Sequence, residues 1–374
     1  MRKCAIFSFF TGAGFLDLGF EDAGFKSVFA NEISPDFSNV YRYSREKMSK
    51  PALEFGLHVT SIDNFLENKE DIDFLRNAIA KTKETYELVG FIGGPPCPDF
   101  SVAGKNKGAE GVHGRLSQSY IDLICNEKPD FFVFENVKGL WKTARHREFY
   151  NNLVQKLQNN GYATTSRLIN ALEYGAPQDR ERIILIGIRE NVLNSSFIDR
   201  GQLRDFPWSK FLKYDVQKIK QIDWPVKSPF NEDAFCNPPD NIISDLTVQY
   251  WFEKNDVTNH PNGNDYFIPR SGLIKMKTYD EGDVSKKCYK RLHRFRYSPT
   301  AAYGNNEVHL HPYKARRLSV AEALAIQSLP KEFELPQDMT LSAKFKTIGN
   351  GVPYLAANGV AKTLKYYLDQ ESED

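Results

Sequence analysis

The strongest constraint on this chain is a rhythm in its first half, where short apolar runs alternate with longer amphipathic stretches. The runs are "CAIFSFF" (4–10), "KSVFANE" (26–32), "ELVGFIGG" (87–94), "DFFVFENV" (130–137), "TTSRLINA" (164–171) and "RIILIGI" (182–188). A strand buried on both faces reads as a near-continuous apolar run, and most of these spacers are long enough to cross over a sheet. The pattern therefore predicts an α/β fold with a mostly parallel sheet flanked by helices. Between the last runs, "REFYNNLVQKLQNNG" (147–161) has helical spacing and is expected to stop at Gly161.

After residue 189 the texture changes. Proline, asparagine and aromatic residues become frequent and no strand period survives, which predicts a second, smaller, irregular domain. Helical order returns in "RRLSVAEALAIQSLP", where Ser319 and Glu322 have capping-box spacing, and in the amphipathic stretch 352–368. The expected division is a first domain over 1–189, the irregular domain over 190–312, and a C-terminal segment, 313–374, that returns to the first.

Net charge is +1, so binding to nucleic acid has to come from local patches rather than a global field. The five cysteines (Cys4, Cys97, Cys125, Cys236 and Cys288) are odd in number and include no CxxC pair. This argues against a disulfide framework or a zinc site, and for a reducing cytoplasm with no metal. The apolar run at the start is followed by Asp17 and Glu21 without a small-residue cleavage pattern, so no secretory leader is expected. No segment approaches the ~20 apolar residues of a membrane span.

In a doubly wound sheet, ligands gather at the carboxyl ends of strands, and four of the runs end in reactive or flexible residues. The first enters "FFTGAGF", where Gly12 and Gly14 allow a tight bend toward a ligand. A dinucleotide fingerprint would want Gly or Ala where Asp17 stands. The second ends at Glu32, placed to grip ribose hydroxyls. The third ends in "GGPPCPDFS", where Pro95 and Pro96 stiffen the approach to Cys97. A thiol there, near Lys105, Lys107 and Arg115, has the makings of a nucleophile, against the commoner fate of a buried structural cysteine. The fourth ends in "FENV", with Glu135 just beyond an apolar strand, where its pKa is expected to rise; pairing with an arginine is the alternative. "QDRER" sets Arg180 and Arg182 two residues apart, suited to an anionic group, a base oxygen or surface salt bridges. In "IGNGVP" (348–353), a glycine-flanked asparagine turn offers backbone amides to a carboxylate.

In this order, "FFTGAGF", "ANE", "GGPPCPDFS", "FENV", "EYGAPQDRERI", "RRLSVAEALAIQSLP" and "GNGVP" resemble the DNA cytosine-5 methyltransferases over about two-thirds of the chain. The resemblance implies a Rossmann-like methyltransferase domain (1–189), a target recognition domain (190–312) and a C-terminal segment that rejoins the first. It also implies methyl transfer from S-adenosyl-L-methionine to carbon 5 of a cytosine flipped out of double-stranded DNA, leaving S-adenosyl-L-homocysteine. The catalytic group would be Cys97 as nucleophile, Glu135 at ring N3, Arg182 at O2 and Arg180 positioning the base or the DNA backbone. The cofactor would meet Phe10, Gly12, Gly14, Glu32, Ile33, Ser61, Ile62, Pro95, Asn350 and Val352. DNA would meet Ser101, Lys105, Arg115 and Gln178. In the recognition segment, "KKCYKRLHRFR" adds a patch with Lys290, Arg291, Arg294 and Arg296, for which a merely solvated basic face is the alternative.

Three positions depart from the family pattern: Phe15 replaces a glycine, Pro98 a glutamine, and Ser61 the aspartate that usually meets the adenine, with Asp63 two residues late. The accompanying expectations are a monomer in the bacterial cytoplasm or nucleoid, no membrane, and a cognate restriction endonuclease acting on the same site. Two other readings stay open at this point: the same chemistry on tRNA, and a nicotinamide-dependent oxidoreductase on a similar sheet.

Overall fold

The computed structural model describes residues 1–96, 112–270, 272–286, 288–301, 303 and 307–370. The six apolar runs form strands β1 (Cys4–Phe9), β2 (Lys26–Asn31), β4 (Leu88–Gly93), β5 (Phe131–Val137), β6 (Tyr162–Asn170) and β8 (Glu181–Arg189). The short strands β3 (Leu57–His58), β7 (Gln178–Asp179), β9 (Ile198–Asp199) and β10 (Gln202–Leu203) were not foreseen, because two residues carry no readable period. Nine of these strands build one sheet in the order β3-β2-β1-β4-β5-β8-β6-β10-β9. Strands β1 to β5 are parallel, whereas β8 runs against both its neighbours, β5 and β6. The α/β class with a mostly parallel sheet is thus observed.

Side-chain parity sorts the sheet into two apolar faces. Phe7 and Phe9, Phe91, and Phe132 and Phe134 point to one side. There they meet helices α3 (Asn64–Glu67), α4 (Lys69–Lys83), α5 (Val112–Glu127) and α7 (Ala144–Asn159), the last two flanking the short α6 (Lys138–Lys142). Ile6, Ile92, Phe131, Val133 and Ile186 point to the other, beneath α1 (Phe15–Glu21); α2 (Pro35–Lys47) follows β2. Helix α7 ends at Asn159, and Gly161 follows with φ +82°, the left-handed conformation expected of a residue past a helix end.

Beyond β10 the backbone turns to short pieces: α8 (Val216–Gln221), α9 (Val248–Lys254), α10 (Leu273–Lys277), β11 (Tyr289–Arg291), β12 (Ser298–Pro299) and β13 (Val308–Leu310). Strand β12 pairs with β7, tying this region to the stretch that carries Arg180. The chain closes with α11 (Val320–Ile326), α12 (Leu341–Asn350) and α13 (Tyr354–Gln370). Helix α11 opens with the foreseen capping box: Glu322 N–H donates to Ser319 Oγ at 3.2 Å, and Ser319 N–H to Glu322 Oε2 at 2.7 Å. Helix α13 returns to the sheet and packs directly on α1. A Cβ on Gly19 would stand 2.6 Å from Ala357 Cβ, and Asn358 Nδ2 donates to Gly19 O at 2.9 Å. Among the described residues, no helix is long and apolar enough to cross a membrane.

Candidate active site

Strands β2 and β4 lie on opposite sides of β1, so the sheet's order switches direction there. A crevice opens outside the carboxyl ends of strands at such a point. The turn after β1 has positive φ at alternate residues: Phe10 (+53°), Gly12 (+57°) and Gly14 (+82°). For Phe10 that left-handed conformation costs roughly 1–2 kcal/mol, so its surroundings must hold it. Glu32, at the end of β2, supplies one restraint: its Oε2 accepts from Gly12 N–H at 2.9 Å and its Oε1 from Ser34 N–H at 2.8 Å. Burial pushes the Glu32 carboxyl pKa up although these amides favour the charged form. Next to it the Ile33 side chain is 64% exposed among the described residues, an apolar face suited to a flat ring.

Phe15, the first departure, has a physical explanation. Its ring is buried, makes an edge contact with Phe333 at 5.2 Å, and lies where a Cβ on Gly351 would come within 2.0 Å. It thereby seats the turn holding Asn350, which is exposed, and Val352, which is buried, against the turn after β1. Ser61 is half-buried and Ile62 buried. Asp63 is committed inside the protein: Ser119 Oγ donates to Oδ1 at 2.7 Å and Arg115 pairs with Oδ2. Arg115 is therefore an ion-pair partner of Asp63, although its side chain remains largely exposed.

The catalytic end forms where β4 and β5 finish side by side. Glu135 shares a face with Phe131 and Val133, four and two residues before it. Arg182 lies on the same face of the antiparallel β8, one diagonal step from Ile184, which pairs with Glu135. Its Nε meets Glu135 Oε1 at 2.9 Å. Burial pushes the Glu135 pKa up and outweighs the opposing pull of Arg182 and Arg180. The other carboxylate oxygen, Oε2, fills the space above Gly94, where a Cβ would lie 2.7 Å from it. Asn136 Nδ2 donates to Pro95 O at 3.4 Å, fixing buried Pro95 at the start of the segment that carries Cys97. Cys97, Pro98, Ser101, Lys105 and Lys107 lie outside the described residues. Among the described cysteines, burial raises the thiol pKa of Cys4 to about 12 and of Cys125 to about 11.

Several expected contacts with DNA are occupied internally. Gln178 is fully buried: Ala301 N–H donates to its Oε1 at 2.9 Å, and its Nε2 reaches Ile326 O at 3.3 Å. Arg180 is also buried and donates to Ala301 O at 3.1 Å and Gly349 O at 2.9 Å. It ties three segments together and faces inward. Burial, with Arg182 nearby, lowers its pKa. Arg291 sits at 0% exposure, giving its protons to the carbonyls of Met276, Tyr279, His311, Pro312 and Lys314, with Phe230 under its guanidinium at 3.9 Å. Arg294 grips Glu281 with two 2.8 Å bonds and stacks over Tyr313. Of the four patch residues expected to meet DNA, this leaves half-buried Lys290, paired with Glu307 at 3.3 Å, and half-buried Arg296, which donates to Pro225 O at 3.4 Å. Sequence spacing could not reveal this, because the acceptors lie 12–23 positions away for Arg291 and Arg294's carboxylate 13 away.

Three contributors went unrecognised in the sequence: Gly94, whose missing Cβ makes room for Glu135; Asn136, which secures Pro95; and Asp17, fully buried beneath the first turn. The middle residue of "ENV" and the paired glycines were the available signals for the first two.

Comparison with known proteins agrees with this arrangement. The family model for C-5 cytosine-specific DNA methylases matches residues 4–366. The Type II methyltransferase M.NmeDI of Neisseria meningitidis serogroup C is 57% identical over 372 residues, spanning 100% of this chain and 86% of that protein. M.MthTI of Methanothermobacter thermautotrophicus is 31% identical over 376 residues, spanning 97% and 98%. The fold matches that of S. pombe Dnmt2 methyltransferase with a TM-score of 0.59 at 11% identity, over 98% of this chain and 99% of that one. The chain is an enzyme and belongs to the C-5 cytosine-specific DNA methylases.

Proposed function

We propose that this protein methylates carbon 5 of a cytosine flipped out of double-stranded DNA, as the methylase of a restriction–modification system. The observation that carries the chemistry is the buried Glu135, its proton affinity raised, held by Arg182 beside the start of the Cys97 segment. Carbon 5 of cytosine is a poor nucleophile. Addition of the Cys97 thiolate to carbon 6, while Glu135 donates a proton to N3, converts the ring to an enamine that is reactive at carbon 5. A carboxyl group with a raised pKa retains that proton nearer neutral pH. Arg182, oriented by the same carboxylate, is assigned to O2. After transfer, loss of the carbon-5 proton expels Cys97 as thiolate, and return of the N3 proton to Glu135 restores the ring. Flipping costs a few kcal/mol of stacking and pairing.

The turn after β1 fits S-adenosyl-L-methionine: its backbone is bent by two glycines, Glu32 is anchored for a ribose, and Ile33 is open for an adenine. Asn350 and Val352 flank the amino-acid end. When bound, this group supplies an electrophilic sulfonium methyl. The residues from 190 to 312 are assigned to target recognition; β9 and β10 within them join the sheet's edge, and the part beyond is pinned to the sheet by Arg180 and the β7–β12 pair. The Type II methyltransferases that match along nearly the whole chain favour DNA over tRNA, and family membership removes the oxidoreductase alternative.

Trapping tests the proposal. A duplex carrying 5-fluorocytosine at the target, with cofactor, is expected to form a covalent adduct with the wild type and none with Cys97→Ser. Glu135→Gln should keep cofactor affinity and lose roughly 10²–10⁴ in turnover. Labelled methyl found on tRNA and absent from duplex DNA would sink the assignment.

A further inference from the structure

Asp17 occupies the first turn of α1 with no solvent exposure, yet no cation is hydrogen-bonded to it among the described residues. Arg45, the nearest candidate on α2, is spent on Glu21 at 2.7 Å and Pro51 O at 3.0 Å. Instead, three hydroxyls converge on the Asp17 carboxylate. Ser8 Oγ of β1 donates to Oδ2 at 2.9 Å, Thr11 Oγ1 of the turn to the same oxygen at 2.8 Å, and Tyr41 OH of α2 to Oδ1 at 3.1 Å. Tyr41 also fills the space behind the turn: a Cβ on Gly14 would meet its ring carbons at 2.7 Å. The turn is thus fastened at three successive points, Thr11 by Asp17, Gly12 by Glu32, and Gly14 by the ring that Asp17 orients.

A buried carboxylate satisfied only by hydroxyls is costly, and a hydrophobic residue of similar volume would pack the α1 core without that cost. What such a replacement would lack is a hold on Thr11, the residue between the strained Phe10 and Gly12. We propose that Asp17 is a positioning residue for the cofactor: through Thr11 and Tyr41 it keeps the Phe10–Gly14 backbone in the shape that receives the adenosyl group. The inference rests on the reading that this turn binds S-adenosyl-L-methionine.

The experiment is calorimetric titration of the full chain with S-adenosylmethionine and, separately, S-adenosylhomocysteine, with folding checked by circular dichroism. Asp17→Asn, which keeps the shape but replaces one acceptor oxygen by a donor, should raise Kd about tenfold for both compounds. Thr11→Val, which leaves the buried charge untouched, should raise it about fivefold, and Thr11→Ser should restore it. The loss should appear in KM for the cofactor, with kcat at saturation within about threefold of wild type. A folded Asp17→Asn or Thr11→Val with Kd within twofold of wild type would overturn the inference. If Asp17→Asn does not fold, the Thr11 pair decides the matter alone. A wild type that binds neither compound overturns the cofactor reading and the inference with it.

Discussion

The sheet region and the segment from 204 to 312 solve the same problem by opposite means. In the sheet, backbone groups satisfy one another in register and apolar side chains alternate between two faces. In the irregular segment there are few ladders, and arginine side chains stand in for them. Arg291 alone collects carbonyls from five residues, and Arg294 joins Glu281 to Ala234 O. A fold held by ladders tolerates change on its surface, whereas one held by single guanidinium hubs depends on each of them. The difference suits a division in which one region keeps its chemistry constant and the other varies its contacts.

Breaking a hub should therefore have the largest effect. Arg291→Met should cost about 3–5 kcal/mol locally, because it strands several buried carbonyls. DNA binding should be lost while calorimetry still detects cofactor on the sheet. Gly90→Ala, whose Cβ would collide with the Phe131 ring at 2.1 Å, should cost about 1–3 kcal/mol and weaken both activities together. If Arg291→Met loses cofactor binding just as steeply, the two regions are one cooperative unit and the contrast fails.

A sharper test within the sheet region uses pH. Burial raises the Asp17 pKa from 3.8 to about 6, against the Thr11 and Ser8 hydroxyls, with Glu21 adding to the rise and Arg45 opposing it. A carboxyl whose folded pKa lies above its unfolded one gives stability that is full below the unfolded value. That stability is lost as pH rises through the folded value. Measured by urea unfolding, wild-type stability relative to Asp17→Asn should fall by up to ~3 kcal/mol between pH 3.8 and about 6. A flat difference across that window would show that the carboxyl titrates normally. The smallest effect belongs to the half-buried remnant of the basic patch. Lys290→Ala should weaken DNA binding severalfold irrespective of sequence and lower the salt slope by about one. No change in slope would place Lys290 off the DNA, still serving Glu307.

Legibility followed the same divide. Strands β1, β2, β4, β5, β6 and β8 were readable to within two residues because burial on both faces leaves an unbroken apolar signature. Glu135 was readable because it follows such a run on a strand of known parity. Asp17 was read only as a failed glycine, since Ser8, Thr11 and Tyr41 make sense of it only after α1 and α2 have packed. Phe15 looked like an anomaly until Gly351, 336 positions later, was found beneath its ring. Arg291 and Arg294 looked like a phosphate patch because sequence displays charge and hides the carbonyls that absorb it.

That distant pairing of Phe15 with Gly351 has a consequence in time. A ribosome adding about 5–20 residues per second makes the aromatic ring long before the glycine that seats it, by roughly 20–70 s at that rate. Throughout that interval the first turn lacks one wall, and α1 lacks the helix, α13, that covers it. The crevice is completed only once Gly351 and α13 have been made, so a nascent chain cannot acquire its full grip on a ligand before then.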